Sequence, residues 1–198
     1  MAKTIDYYFS PMSPWTYLGH RRFADLLARY GASVNVKPVD YGRIFPASGG
    51  LPLKQRAPQR QAYRLVELRR WRERLGIPLT LEPKFFPYAT DAATLLIIAA
   101  DQIAGAQRAM ELAGAIMTAC WAEERNCADP QTLSQIAAAA GLDAAALRSR
   151  EAQARAAYER YTQDALDAQV FGAPSYVVDG EIFWGQDRLE FLERALQR

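Results

Sequence analysis

The chain has 198 residues, half of them hydrophobic, with 24 Lys and Arg against 22 Asp and Glu for a net charge of +2. That is enough apolar material for one core, or for a core plus an inserted subdomain, and a charge balance too even to imply a nucleic-acid partner. No stretch approaches the roughly 20 uninterrupted apolar residues of a membrane span. Met1-Ala2-Lys3-Thr4-Ile5-Asp6 enters a strand without an apolar secretory segment, so a cytoplasmic protein with no membrane partner is expected.

Ile5 to Phe9 reads as a buried strand, followed by a short loop and a helix that begins at Ser13-Pro14. Trp15, Leu18, Phe23, Leu26, Leu27 and Tyr30 recur at helical spacing until Gly31 stops the helix. Val34, Val36 and Val39 mark a second strand, completing a β-α-β unit with two parallel neighbours. From Tyr41 the texture changes, and Pro46, Ser48-Gly49-Gly50, Pro52 and Pro58 predict a long loop. Gln59 to Gln169 then reads as helices, among them Ala92 to Met110 and Leu112 to Arg125. Asp129-Pro130 is an N-cap with proline at N1, Gly141 closes that helix, and Asp143 opens the next.

Strands return only near the end. Ser175-Tyr176-Val177-Val178 and Glu181-Ile182-Phe183-Trp184 flank Asp179-Gly180, a strong two-residue hairpin signal. Beyond Gly185, Asp187 is placed to cap a last helix, with Glu190 completing a capping box. Neither the opening β-α-β nor the closing β-β-α covers a sheet without the other. The fold class predicted is therefore α/β, a thioredoxin-like fold with a large inserted all-helical domain: residues 1–42 and 166–198 form the discontinuous thioredoxin-like part, and 43–165 the insert.

In that architecture the corner between the first strand and the first helix is where a reactive Cys-x-x-Cys stands, yet Ser13 to Thr16 contains no cysteine. Dithiol chemistry is thereby excluded at this helix. Ser13-Pro14 is by itself a favoured N-cap and N1 pair in any helix. A hydrolase is excluded too, because His20 is the one histidine and lies about 10 Å further along the same helix. Cys120 and Cys127 have no metal or redox spacing. They are expected to be free, partly buried thiols, and no metal site is expected.

Four segments carry a family resemblance: Phe9 to Gly19 (FSPMSPWTYLG), Tyr63 to Trp71 (YRLVELRRW), Leu75 to Leu79 (LGIPL), and Val170 to Ser175 (VFGAPS) with Asp179 to Leu189 (DGEIFWGQDRL). The chain resembles the thioredoxin-like family of 2-hydroxychromene-2-carboxylate isomerases, kappa-class glutathione transferases and bacterial disulfide oxidoreductases, and the isomerase branch most of all. The resemblance implies a bound glutathione. Ser13 matches the catalytic serine, whose hydroxyl donates to the glutathione sulfur. A thiol of ordinary pKa near 8.5 needs such a donor, and a helix N-terminus, to ionise at neutral pH. Pro174 matches the cis proline that turns the Ala173 backbone toward a bound peptide. Gln186 and Asp187 match the helix N-terminus that receives the γ-glutamyl end.

Lys54 to Arg74 is strongly basic. Arg56, Arg60 and Arg64 share a face if a helix starts that early, forming a positive lip for a glycyl or substrate carboxylate. Lys54 and Arg64 are the candidates there, although the kappa pattern is not clearly reproduced. Trp15, Tyr17, Phe85, Phe86, Tyr88 and Trp184 are candidates for lining an acceptor pocket. The activity implied is glutathione-dependent interconversion of 2-hydroxychromene-2-carboxylate and trans-o-hydroxybenzylidenepyruvate in naphthalene-type aromatic degradation, with a small aromatic carboxylate as substrate and a homodimer as the assembly. A kappa-like transferase that consumes glutathione is one alternative. A catalytically silent binding module is another, and the cysteine-free helix permits all three.

Overall fold

β1 (Thr4–Phe9) is central in the sheet because both of its edges and both of its faces are occupied. In the computed structural model, which describes residues 3–197, it pairs in parallel with β2 (Ser33–Pro38), with Tyr7 opposite Val36. It pairs antiparallel with β3 (Ser175–Val178), with Tyr7 opposite Tyr176, and β4 (Glu181–Trp184) closes the order β2-β1-β3-β4. Asp179 and Gly180, both at positive φ, turn the β3–β4 hairpin as expected. The N-terminal expectation for Met1 and Ala2 lies outside the described residues.

Alternation along β1 divides the interior. Ile5, Tyr7 and Phe9 join the main cluster with Phe23, Ile97, Ile116 and Tyr176, while Tyr8 faces a smaller one with Val39, Tyr41, Ile44, Ala165 and Val170. Full burial of a side chain such as Ile5 or Phe9 is worth about 1.5–3 kcal/mol. The main cluster gathers residues of α1 (Pro14–Tyr30), α4 (Asp91–Ala104), α5 (Ala106–Trp121) and α9 (Leu189–Leu196). Among the described residues no helix is long and apolar enough to cross a membrane.

The structure corrects four expectations of local structure. Tyr41 does not open a loop: α2 (Tyr41–Ser48) forms with Pro46 inside it, capped by Asp40, whose carboxylate accepts from the Gly42 amide at 2.7 Å. Burial of Tyr41 and Ile44 against the sheet recruits that turn. The helical block is also interrupted, since residues between Gly76 and Thr90 include no α-helix. The break expected after Met110 falls instead at Gly105, whose φ of 85° and ψ of 170° separate α4 from α5, and α5 ends at Trp121 rather than at Arg125. At the end of the chain, Gln186–Arg188 forms a short 3-10 turn before α9 begins at Leu189, with Arg188 at its N-cap position. Asp187 turns to the Arg188 guanidinium at 2.6 Å, so the expected capping box does not form.

α6 (Pro130–Ala139) and α7 (Ala144–Ser149) are capped by Asp129 and Asp143 as the sequence indicates. α3 (Pro58–Leu75) and α8 (Glu151–Asp167) complete the helical block. Cys120 and Cys127 are buried free thiols, and burial pushes Cys120 up to about 12 and Cys127 to about 11. Both stay protonated and unreactive at neutral pH.

Candidate active site

Ser13 caps α1 in extended backbone geometry, its Oγ accepting the Thr16 amide at 3.2 Å. Its own amide donates to the Ser10 carbonyl at 3.0 Å. Among the described residues nothing accepts from the Ser13 hydroxyl, whose oxygen is polarised by the incoming N–H. The first turn of α1 contains no acidic residue, so no side chain cancels the positive end of the helix dipole. A half-buried hydroxyl donor over an uncompensated helix N-terminus suits a small anion such as a thiolate or a carboxylate.

The register places the other half of the corner. Tyr8 lies opposite Ser175 in the antiparallel pair, so continuing the ladder brings Pro174 and Ala173 alongside the loop after Phe9. Ala173-Pro174 is a cis peptide. Tyr41 Oη and Ser175 Oγ both donate to the Gly172 carbonyl, at 3.0 and 2.7 Å, and the Gly185 amide donates to the Pro174 carbonyl at 2.9 Å. Tyr41 was not foreseen as a support, because no local motif joins it to Gly172, whereas the Ser175 bond is a local one, three residues along the chain.

Gln186 is 2 % exposed, and its side chain is not free to reach a ligand: Arg22 holds both its carbonyl (3.1 Å) and its Oε1 (2.8 Å). What this turn offers is main chain, since its first N–H groups have no acceptor within it, together with the Asp187 carboxylate. Gly185 adopts φ 109°, which a side chain rarely tolerates, and Gly19 lets α1 approach so closely that a Cβ there would sit 2.8 Å from the Gln186 Cβ. Arg22 and Gly19 are the positioning residues that sequence reading missed. Their signal was present in the i, i+3 spacing on α1.

His20 belongs to the core. Its ring nitrogens lie 3.1 Å from Tyr7 Oη and 2.8 Å from the Met110 carbonyl, and burial lowers its pKa to about 4. It is neutral and fully engaged, which removes it from any role as base to Ser13.

The remaining candidates divide. The Tyr88 amide donates to Met12 Sδ at 3.4 Å and Tyr17 Oη donates to the Pro78 carbonyl at 2.6 Å, so the segment between α3 and α4 crosses beside the start of α1. Phe86, joined to Pro87 by a second cis peptide, packs on Trp121 with ring centroids 4.9 Å apart. Arg64 lies over both rings, 5.1 and 5.8 Å from their centroids. Trp15 is half-buried against the main cluster. Phe85 is likewise half-buried, with Lys84 over its ring at 5.2 Å. Trp184 stands 50 % exposed at the sheet edge, edge-on to Phe171. Lys54 is exposed in a 3-10 turn (Leu53–Gln55) that precedes α3. The arginine face expected across Arg56, Arg60 and Arg64 is broken, because α3 starts at Pro58 and Arg56 donates to the Leu51 carbonyl at 2.8 Å instead.

The corner, with a helix-capping serine, a cis proline loop and a backbone turn beyond it, defines a thioredoxin-fold protein that has no dithiol at its reactive position. The DSBA-like thioredoxin domain matches residues 4–197. A curated 2-hydroxychromene-2-carboxylate isomerase of Sphingobium xenophagum is 32% identical, aligned over 99% of both chains. A solved 2-hydroxychromene-2-carboxylate isomerase superposes with a TM-score of 0.81 at 28% identity, covering 98% of this chain and 95% of that one. Glutathione S-transferase kappa 1 of Caenorhabditis elegans is 23% identical, covering 98% of this chain and 91% of the relative. The chain belongs to the DSBA-like thioredoxin family, in the branch of the 2-hydroxychromene-2-carboxylate isomerases. It is an enzyme of isomerase or glutathione-transferase type.

Proposed function

We propose that the protein is a glutathione-dependent isomerase that interconverts 2-hydroxychromene-2-carboxylate and trans-o-hydroxybenzylidenepyruvate. The observation that carries this reading is Ser13: a hydroxyl that donates to no acceptor among the described residues and caps a helix whose first turn carries no negative charge. In this reading the glutathione cysteinyl backbone pairs with Ala173 beside cis-Pro174. Its γ-glutamyl end meets the main chain of Gln186 and the carboxylate of Asp187. The Ser13 hydroxyl and the α1 dipole hold the sulfur as thiolate.

The ring-opened acid contains an alkene conjugated to a ketone. Thiolate adds to the β-carbon, the C=C electron pair moves to the ketone as an enolate, and the former double bond rotates as a single bond. Elimination re-forms the alkene as the other isomer and expels the thiolate, so atoms and electrons balance and no oxidant is consumed. Trp15, Tyr17, Phe86, Tyr88 and Trp184 bound the acceptor side, with Lys54 at its rim. A cytoplasmic homodimer forms part of the proposal.

The test is the isomerisation rate with and without glutathione, in the wild type and in Ser13→Ala. Loss of the one donor is expected to lower kcat by about a hundredfold or more, with free thiol fully recovered in the wild type. Thiol consumed in proportion to product would identify a transferase instead, a reading that the kappa relative favours. Turnover that ignores both glutathione and Ser13 would overturn the proposal.

A further inference from the structure

Among the described guanidinium groups, Arg64 alone has a buried edge that lacks any acceptor. Its Nη2 is enclosed without a hydrogen-bond partner among the described residues, beside the likewise unpartnered Trp121 Nε1. The ring faces of Phe86 and Trp121 fix it from below. Ion pairs on α3 join Arg70 to Glu67 and Arg72 to Glu73, and among the described residues none engages Arg56, Arg60 or Arg64. Burial, reinforced by the nearby Arg56 charge, lowers the Arg64 pKa to about 10, and Glu82, which forms no ion pair with it, offsets this only in part. Arg64 is still cationic at neutral pH. A half-buried cation with no counter-ion is an expensive arrangement for stability alone, since charge in an apolar setting needs a partner.

The location matters as much as the charge. Arg64 touches Phe86, and two residues further on Tyr88 binds Met12, which adjoins Ser13. The cation is thereby linked, through the Phe86–Tyr88 segment, to the loop that carries Ser13. Its aromatic floor suits a flat ring carrying an acid better than it suits a glycyl end.

We infer that Arg64, held on Phe86 and Trp121, determines specificity by anchoring the carboxylate of an aromatic 2-oxo acid substrate. This inference rests on the isomerase reading for its substrate class, but the binding is separable from turnover. A guanidinium pairs a carboxylate through two parallel N–H bonds, which a lysine cannot reproduce. With the acid fixed there, the conjugated chain points toward the corner and the sulfur.

The experiment uses 2-oxo-4-phenylbutanoate, a saturated analogue with no conjugated alkene for a thiolate to add to, and its uncharged amide. Calorimetry on the full-length wild type, Arg64→Met and Arg64→Lys follows both, together with glutathione itself. Loss of a charged hydrogen-bonded pair predicts an analogue affinity lowered about tenfold to a hundredfold in Arg64→Met, partly restored in Arg64→Lys. Amide and glutathione affinities should change less than the analogue affinity does. In the isomerase assay KM should rise more than kcat falls. Unchanged analogue binding in Arg64→Met would overturn the inference, and so would a loss confined to glutathione, which would place its glycyl carboxylate at Arg64. A wild type that binds the analogue through Arg64 yet does not isomerise the chromene acid would refute the proposed reaction and leave the carboxylate site standing.

Discussion

The Ser13 corner and the Arg64 pocket both present positive potential to an anion, and they do so by opposite means. The corner has no formal cation: its field comes from a helix end, a polarised hydroxyl and backbone N–H groups held by short loops. The pocket relies on full charges, with Arg64 stacked on two aromatic rings and Arg56 opposing it. The corner joins the start of α1 to the cis-proline loop and the Gln186–Arg188 turn from the other end of the chain, through the antiparallel pairing of β1 with β3. The pocket needs residues 64, 86 and 121 to be brought together by the helical block. A partial-charge site thus costs the fold little, whereas a full-charge site needs an apolar scaffold around it, and the two should fail differently.

Breaking the scaffold of the pocket should have the largest effect. Trp121 is fully buried and supports Phe86 as well as Arg64, so Trp121→Ala is expected to lose about 3–5 kcal/mol in urea unfolding. A loss under 1 kcal/mol would show that the pocket is not tied to the core in this way.

Acid comes next, and it acts behind the corner rather than in it. His20 is buried and neutral, with its pKa lowered to about 4 from 6.5. The unfolded chain therefore binds a proton that the folded chain refuses between these values, and stability falls as pH drops through that window. The contribution is full above pH 6.5 and amounts to roughly 3 kcal/mol lost by pH 4. Comparing unfolding of the wild type and His20→Gln at the two pH values checks it. An equal acid loss in both proteins would assign the effect to other groups.

The smallest stability effect is expected at the corner itself. Ser13→Ala removes one capping bond and should cost about 1 kcal/mol in thermal or urea unfolding, far less than the barrier increase in turnover. A stability loss as large as that in turnover would make Ser13 a structural cap only.

Much of this contrast could be read from the sequence, but unevenly. Ser13-Pro14, the Asp179-Gly180 hairpin and the strand of Ile5 to Phe9 are local signals, and the fold agrees with each. The helix of Tyr41–Ser48 was obscured by Pro46 and formed because burial of Ile44 outweighs propensity. The division at Gly105 was hidden within an alanine-rich run whose apolar pattern continues on both sides. Arg22 on Gln186, and Tyr41 on Gly172, are contacts between elements joined only by the fold. Arg64 was visible as one charge in a basic run and Phe86 as a pocket candidate, while Trp121 and the meeting of the three were not.

The most direct test of the central claim is the ionisation of glutathione on the enzyme, followed through thiolate ultraviolet absorbance against pH in the wild type and Ser13→Ala. The account predicts a bound thiol with its pKa well below the free value of about 8.5 in the wild type, rising toward that value in the mutant while glutathione remains bound. Bound glutathione with an unshifted thiol in the wild type, or the same lowered value in both proteins, would contradict it.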